Sequence, residues 1–490
     1  MKVALLGAVV AALATAVPAA AFTPSNTYYA RQWYLASDHA FDAWQAPPSD
    51  LAPVKVAIVD SGVDCSLPDF KGRIAETRSF VGGSACDDTI GHGTIVAGEI
   101  AGDLGTNGVV GIAYTAQLLI AKVVRNDGTI GLTAEADAIR WAANHGARVI
   151  NLSLGGVRDP RNARIDEYSK LEANAVAYAT SKGVLVVAAS GNADEADALT
   201  WPWADYPAAL PHVIGVAALD RNGNVPSFSD YDPRFVDLAA PGVDTFSTFP
   251  AAITAQRQGC TPQGYTDCAS PDYVHPEGTS FAAPQVSAAA AVLFALQPSL
   301  TSSQAGKILE RSADDVTPAT GCSLCRVGRD PYSGWGQLDV ANAIAALGAG
   351  NLPKPDAHEP NDDVPQAFPL YGLHRSVSAT IDYYDDPQDV YRVRLTKGER
   401  VTLRTTAKWP ATKVGLLLWR PGTTTVLLGD RSKQRVAASV HAGSVERIVY
   451  RAAKAGWYIV EVEATGSGSG PYTLGVAKTP PPKAKPKQKP

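Results

Sequence analysis

A surplus of charge is the first thing missing from this chain of 490 residues: 43 Lys and Arg stand against 48 Asp and Glu, a net of −5. So slight a balance argues against nucleic acid as a partner, which needs a basic face. The strongly basic stretch is the Pro/Lys-rich tail at 479–490, which reads as disordered. Long apolar runs are missing too once the N-terminus is passed. Val286 to Leu296 is too short to span a bilayer and reads as a buried helix, so no membrane span is expected. Cysteine is sparse, at six residues. Cys322 and Cys325 have redox-motif spacing, but nothing like a thioredoxin unit surrounds them, and a small structural loop is the better reading.

The length exceeds one ordinary domain and leaves ample chain for a large core. Met1-Lys2, the apolar run Val3 to Val17 and the small residues Ala19 to Ala21 read as a secretory signal peptide over 1–21. The expected location is therefore extracellular, or periplasmic in transit. In that compartment the cysteines suggest disulfides. Nearest-neighbour pairing would give Cys65–Cys86, Cys260–Cys268 and Cys322–Cys325, with the connectivity left open.

Across 22–347, apolar runs at Leu118–Val124, Val149–Leu154, Val184–Ala189 and Val213–Ala218 read as buried strands. Helical patterns at Ala134–Asn144, Glu167–Ser181 and Pro284–Leu296 alternate with them. That alternation predicts an α/β domain, a three-layer parallel sheet with helices on both faces. A Gly/Pro linker follows at 348–356. Short alternating segments at Val390–Leu395, Arg400–Thr405, Val414–Trp419, Thr425–Leu428, Arg447–Arg451 and Trp457–Glu463 then predict a small all-β sandwich over 357–478.

Four residues with small neighbours carry the chemistry. Ser280, in Gly278-Thr279-Ser280-Phe281-Ala282-Ala283-Pro284, stands at the mouth of an apolar helix, where unpaired N–H groups favour developing negative charge. Asp60 closes the strand-like run Val54–Val59, at the strand end where open α/β sheets place their sites. His92 lies in Gly91-His92-Gly93-Thr94 and opens a helical pattern. Asn192 closes Val186–Gly191, where a side-chain amide could donate to a tetrahedral intermediate. Taken singly, Asp60 is also a turn cap, His92 a loop histidine, Asn192 a turn residue and Ser280 an N-cap. Taken together they supply a nucleophile, its base, an orienting acid and an oxyanion donor.

The order Asp, His, Ser, with Val59-Asp60-Ser61-Gly62, Gly91-His92-Gly93-Thr94, Ala189-Ser190-Gly191-Asn192 and Gly278–Pro284, resembles the subtilisin (subtilase) family of serine endopeptidases. Asn151–Gly156 and Ala239-Ala240-Pro241-Gly242 are also similar to that family, and the likeness runs from about Tyr28 to about Ala346. It implies Ser280 as nucleophile, His92 as general base and Asp60 as its orienting acid. Asn192, with the Ser280 N–H, would bind the oxyanion. It implies protein or peptide substrates, a monomer, and no cofactor in the chemical step. Substrate would lie along two chain edges, Asn126–Gly131 (with Gly128) and Ser153, Leu154 and Gly155 within Ser153–Gly156.

The resemblance raises four further expectations. Asp205, before Tyr206-Pro207, falls at the base of the primary pocket and would favour Arg or Lys before the cut; the other reading leaves it in solvent. Asp69 matches a ligand of a structural calcium, with Asn107 as companion; the other reading is a turn residue. The short stretch between the leader and Tyr28 leaves no room for a pro-domain, so folding would rely on the disulfides or the C-terminal domain. Beyond the linker, Glu359–Asp363, Asp389-Val390-Tyr391 and Gly456-Trp457-Tyr458 resemble a pre-peptidase C-terminal domain; Asp382, Asp385, Asp386 and Asp389 read as a solvated acidic loop, the other reading being a calcium site. The reading from another class is an idle scaffold of this family that binds a polymer or surface. An idle scaffold is expected to lose at least one of the four residues, and none is lost.

Overall fold

In the computed structural model, the described residues are 22–46, 48, 51–105, 108–192, 201–256, 273–348, 357–358, 361, 363–382, 388–426, 434–465 and 469–481. The signal peptide, most of the linker, the expected Cys260–Cys268 pair and Asn107 lie outside them. In chain order the elements are α1 (Trp33–Ser37), β1 (Lys55–Asp60), β2 (Ile74–Ser79), α2 (His92–Ala101), β3 (Gln117–Lys122), α3 (Leu132–Asn144), β4 (Val149–Leu152), α4 (Lys170–Ser181), β5 (Leu185–Ala189), β6 (Val213–Leu219) and β7 (Leu238–Pro241). There follow the short pair β8 (Ser247–Thr248) and β9 (Tyr273–Val274) around α5 (Ala251–Gln256), then α6 (Ala283–Leu296), α7 (Ser302–Ser312) and α8 (Val340–Gly348).

β1 to β7 form one parallel sheet in the order β2-β3-β1-β4-β5-β6-β7. Its central strands are buried on both faces, which is why they read as unbroken apolar runs. Successive side chains point to opposite faces. Val56, Ile58, Leu118, Ile120 and Val187 therefore enter a core with α2, α6 and α7, while Ala57, Val59, Leu119, Ala121 and Val186 enter another with α3 and α4. The result is the expected three-layer α/β domain. The order reverses around β1, which lies between β3 and β4, and this puts a crevice at the strands' C-terminal ends.

Thr279–Leu296 is apolar and long enough to cross a membrane by composition, but 83% of it is buried inside the domain as the core segment ending in α6. The N-terminal segment is tied down as well. The Asn26 amide donates to Asp103 O (2.8 Å) and Val109 O (3.0 Å), and Gln32 donates to Val110 O (2.8 Å) while accepting from Val110 N–H (2.9 Å).

The C-terminal strands are β10 (Phe368–Leu370), β11 (His374–Asp382), β12 (Gln388–Leu395), β13 (Arg400–Ala407), β14 (Val414–Trp419), β15 (Arg435–Ser439), β16 (Val445–Arg451), β17 (Gly456–Ala464) and β18 (Ser469–Thr479). They make two facing sheets, β10-β12-β17-β14-β15 and β11-β18-β13-β16, around an all-β core of their own. Two expectations need correction. Thr425 and Val426 are not in a strand; the Val426 N–H is bonded to Asp363 Oδ1 at 2.8 Å. Asp389 is not in a solvated loop: it is fully buried and accepts from Tyr472 OH at 2.5 Å, because the pleat of β12 turns it into the sandwich.

Candidate active site

The crevice is built from strand ends and helix starts. Asp60, the last residue of β1, is 2% exposed, and His92 opens α2 beside it. His92 Nδ1–H donates to both carboxylate oxygens, at 2.8 Å to Oδ1 and 2.9 Å to Oδ2. Ser61 N–H donates to the same Oδ1 at 2.6 Å. This fixes the tautomer that leaves Nε2 as an acceptor. Burial disfavours the imidazolium, but the Asp60 carboxylate, with Asp88 behind it, outweighs that, and His92 sits above its ordinary value. The Phe281 ring packs on the imidazole at 5.2 Å between centroids. Gly93 cannot carry a side chain, since a methyl there would collide with Gly62 O and touch Asp60.

Ser280 sits in a single tight turn, Thr279–Phe281, directly before α6. Its carbonyl accepts from Ser153 Oγ (2.7 Å), Ser153 Oγ accepts from Asn151 Nδ2 (2.9 Å), and Asn151 Oδ1 accepts from Ser287 Oγ (2.8 Å). The turn is thereby locked to the end of β4. The Ser280 hydroxyl itself donates to Ser153 O at 3.2 Å, not to His92. Asn192 follows β5. Its Oδ1 accepts from Thr279 N–H (2.9 Å) and Thr279 Oγ1 (3.0 Å), which orients the amide so that Nδ2 remains to donate into the crevice. Residue types suited to nucleophile, base, acid and oxyanion donor thus meet at one place.

The two chain edges are present. A tight turn at 125–129, with Arg125 N–H on Thr129 O at 2.9 Å, carries Gly128 at φ +83° with open space on its side-chain side. On the other edge, Gly156 and Tyr206 exchange backbone bonds of 2.8 and 2.9 Å. This pairing carries Asp205, whose N–H donates to Ser190 O at 2.8 Å, into the wall between the two segments. A methyl group on Gly155 would meet Asp205 Cβ at 3.3 Å, and one on Gly191 would meet Asp205 Oδ2 at 2.7 Å. The Asp230 carboxylate reaches the same point at Gly191, and nothing in the sequence singled it out. Two more residues escaped sequence reading, Ser61 as a relay and the buried Asp88, because the bond that joins them runs between separate loops.

Asp69 is buried and accepts from the Val109 N–H at 2.9 Å and Tyr273 OH at 3.1 Å. Calcium takes six to eight oxygens. Asn107, the expected companion ligand, lies outside the described residues, and the nearby Asp103 and Val109 carbonyls accept from Asn26. Two disulfides brace the region. Cys65–Cys86 (Cα–Cα 5.2 Å) ties the loop after Asp60 to the loop before His92. Cys322–Cys325 (Cα–Cα 5.4 Å) is buried against Ala217, Leu219 and Val236 as a structural loop.

Residues 52–336 match the model of the subtilase family. Thermitase of Thermoactinomyces vulgaris is 35% identical over 299 residues, 60% of this chain and 93% of that protein. Subtilisin BL of Lederbergia lenta is 36% identical over 264 residues, 54% of this chain and 84% of that protein. Among solved structures, sphericase superposes with a TM-score of 0.52 at 29% identity, covering 65% of this chain and all of its own. The β-sandwich lies beyond the stretch matched by the family model.

Proposed function

This chain belongs to the subtilase family and is a serine endopeptidase, and from that premise we propose that it cuts peptide bonds through an acyl-enzyme on Ser280. The observation that carries this is the double contact of His92 with Asp60, at 2.8 and 2.9 Å, beside Ser280 and the oriented Asn192 amide. On substrate binding the Ser280 hydroxyl rotates from Ser153 O to His92 Nε2. Oγ attacks the scissile carbonyl as His92 takes its proton, and Asp60 stabilises the imidazolium. Asn192 Nδ2 and the Ser280 N–H hold the oxyanion. Collapse expels the amine, which leaves with the proton from His92. Water then gives a proton to His92, attacks the ester, and restores Ser280 as the acid departs.

Arg or Lys is the preferred residue before the cut, a reading supported by the Asp205 carboxylate between Gly155 and Gly191. The enzyme works as a monomer and acts outside the cell, the latter supported by the leader-like N-terminus and the Cys65–Cys86 bond. Asn26 and Gln32 hold the loop near Asp69. The sandwich, similar to a pre-peptidase C-terminal domain, is an appendage to the catalytic unit.

The test is cleavage of a peptide library by the secreted full chain, with Ser280→Ala as blank. Cuts made by the wild type alone, with Arg and Lys dominating before the bond, are expected. No cuts from folded wild type would overturn the reading in favour of the idle scaffold.

A further inference from the structure

The helix that presents the base has no cap of its own. A cap normally comes from a Ser, Thr, Asp or Asn side chain at the position before the first helical residue. That position is Gly91, in a left-handed conformation at φ +93°, and any side chain there would collide with the Phe249 ring. Two first-turn N–H groups of α2 are nonetheless satisfied, one by Asp88 in the loop that leads into the helix and one by Ser61 in the loop after β1. Thr94 N–H donates to Asp88 Oδ2 at 3.0 Å, and Gly93 N–H donates to Ser61 Oγ at 2.9 Å. Asp88 also accepts from Gly91 N–H (2.8 Å), Ile90 N–H (3.2 Å), Thr94 Oγ1 (2.6 Å) and Ser61 Oγ (2.9 Å). The three N–H groups can only donate, and two hydroxyls complete the set; burial pushes the Asp88 carboxyl up, and the bonds from Thr94, Gly91 and Ser61 pull it back toward the ionised form.

We propose that Asp88 is a positioning residue for the base: it caps the His92 helix from outside and is wired through Ser61 to Asp60, so that one network sets both members of the pair. Ser61 is the junction. Its hydroxyl donates to Asp88 and accepts from Gly93 N–H, while its own N–H holds Asp60 Oδ1. Asp88 is 5% exposed, so its charge is little screened, and it faces the positive end of the helix where the imidazolium forms. The charged groups around His92 are Asp60 and Asp88, both of which favour the imidazolium. Lys122 spends its ammonium on the Asp87 carbonyl, and the Phe281 ring on the imidazole is uncharged. Asp88 thus acts through His92 and touches no substrate.

The proposal rests on the endopeptidase reading, and its test separates the two. Asp88→Asn in the full chain keeps the shape but turns one acceptor into a donor that faces Thr94. Turnover should fall roughly 10–100-fold with KM little changed, as expected when a catalytic group shifts slightly. Losing a negative charge beside the imidazolium lowers the His92 pKa, so the acid limb of kcat/KM should move to lower pH by about 0.5–1 unit. In the Ser280→Ala background, NMR titration of His92 should show the same downward shift without any need for activity. An unmoved acid limb and an unmoved titration, with or without a lower Tm, would reduce Asp88 to a structural cap and overturn the proposal. Should Asp88→Asn fail to fold, Asp88→Ser keeps an acceptor for the helix N–H groups and removes the same charge; the same titration is then expected to shift downward, and no shift overturns the proposal. If the wild type cuts nothing, the endopeptidase reading fails while the His92 titration still decides the role of Asp88.

Discussion

Asp205 and Asp88 were not equally visible before the fold was known. Asp60, His92, Asn192 and Ser280 stand out because glycine and alanine crowd around them, and such crowding is needed wherever backbone must approach a reacting group. Asp205 could be placed because Tyr206-Pro207 marks its register. Asp88 and Ser61 look like ordinary turn residues: Asp88 bonds locally to Ile90, Gly91 and Thr94, and its tie to Ser61 in a separate loop is what no local pattern encodes. Ser280 differs in one detail: its hydroxyl rests on Ser153 O at 3.2 Å, because that carbonyl lies at the end of a strand already bonded to the same turn. For Asp205 the expected outcome is specific. Asp205→Asn should lower kcat/KM for Arg substrates by roughly 10-fold or more, in line with loss of a charge-assisted contact, and leave apolar substrates nearly unchanged. Paired kinetics on peptides differing only in that residue would check it.

Elements with a single environment were the legible ones. β1, β4, β5 and β6 are buried along nearly their whole length, so their apolar runs announced them. β2 was missed because it is an edge strand with alternating partial exposure, written Ile-Ala-Glu-Thr-Arg-Ser, which reads as loop. β11 and β18 were missed for a related cause: long strands of an antiparallel sheet admit Ser, Thr, Gly and Pro on the outer face. Within α2 the surprise is Glu99, a fully buried carboxyl. Burial pushes it well above the usual carboxylate range, and Asp38 adds to it. The folded chain therefore holds this proton at pH values where the unfolded chain has released it. Its contribution is full below the unfolded value and is lost as pH rises toward the folded one. Glu99→Gln should raise Tm by ~2–4 °C at alkaline pH, with a smaller difference in acid. Thermal melts across pH would register it.

Across the whole molecule, the division into a sheet-and-helix unit and a sandwich was readable from the change of strand spacing and the Gly/Pro linker. What joins them was not: Arg234 Nη2 donates to Val426 O at 3.1 Å, a contact between residues far apart in sequence. Since each unit has its own core, a chain ending at the close of α8 should fold and cut short peptides with unchanged kcat/KM, which activity of the truncated protein would reveal. The placement of Ser280 has a last consequence. Its turn is bonded to β4 and continues into α6, whose helix is buried on every side between the sheet and its neighbours. Local fraying is not expected to carry the nucleophile away, because α6 is buried along nearly its whole length. Heat should then act as a switch: activity holds until the domain melts as one body and vanishes with it, and the amides of α6 exchange with solvent only by that same global route.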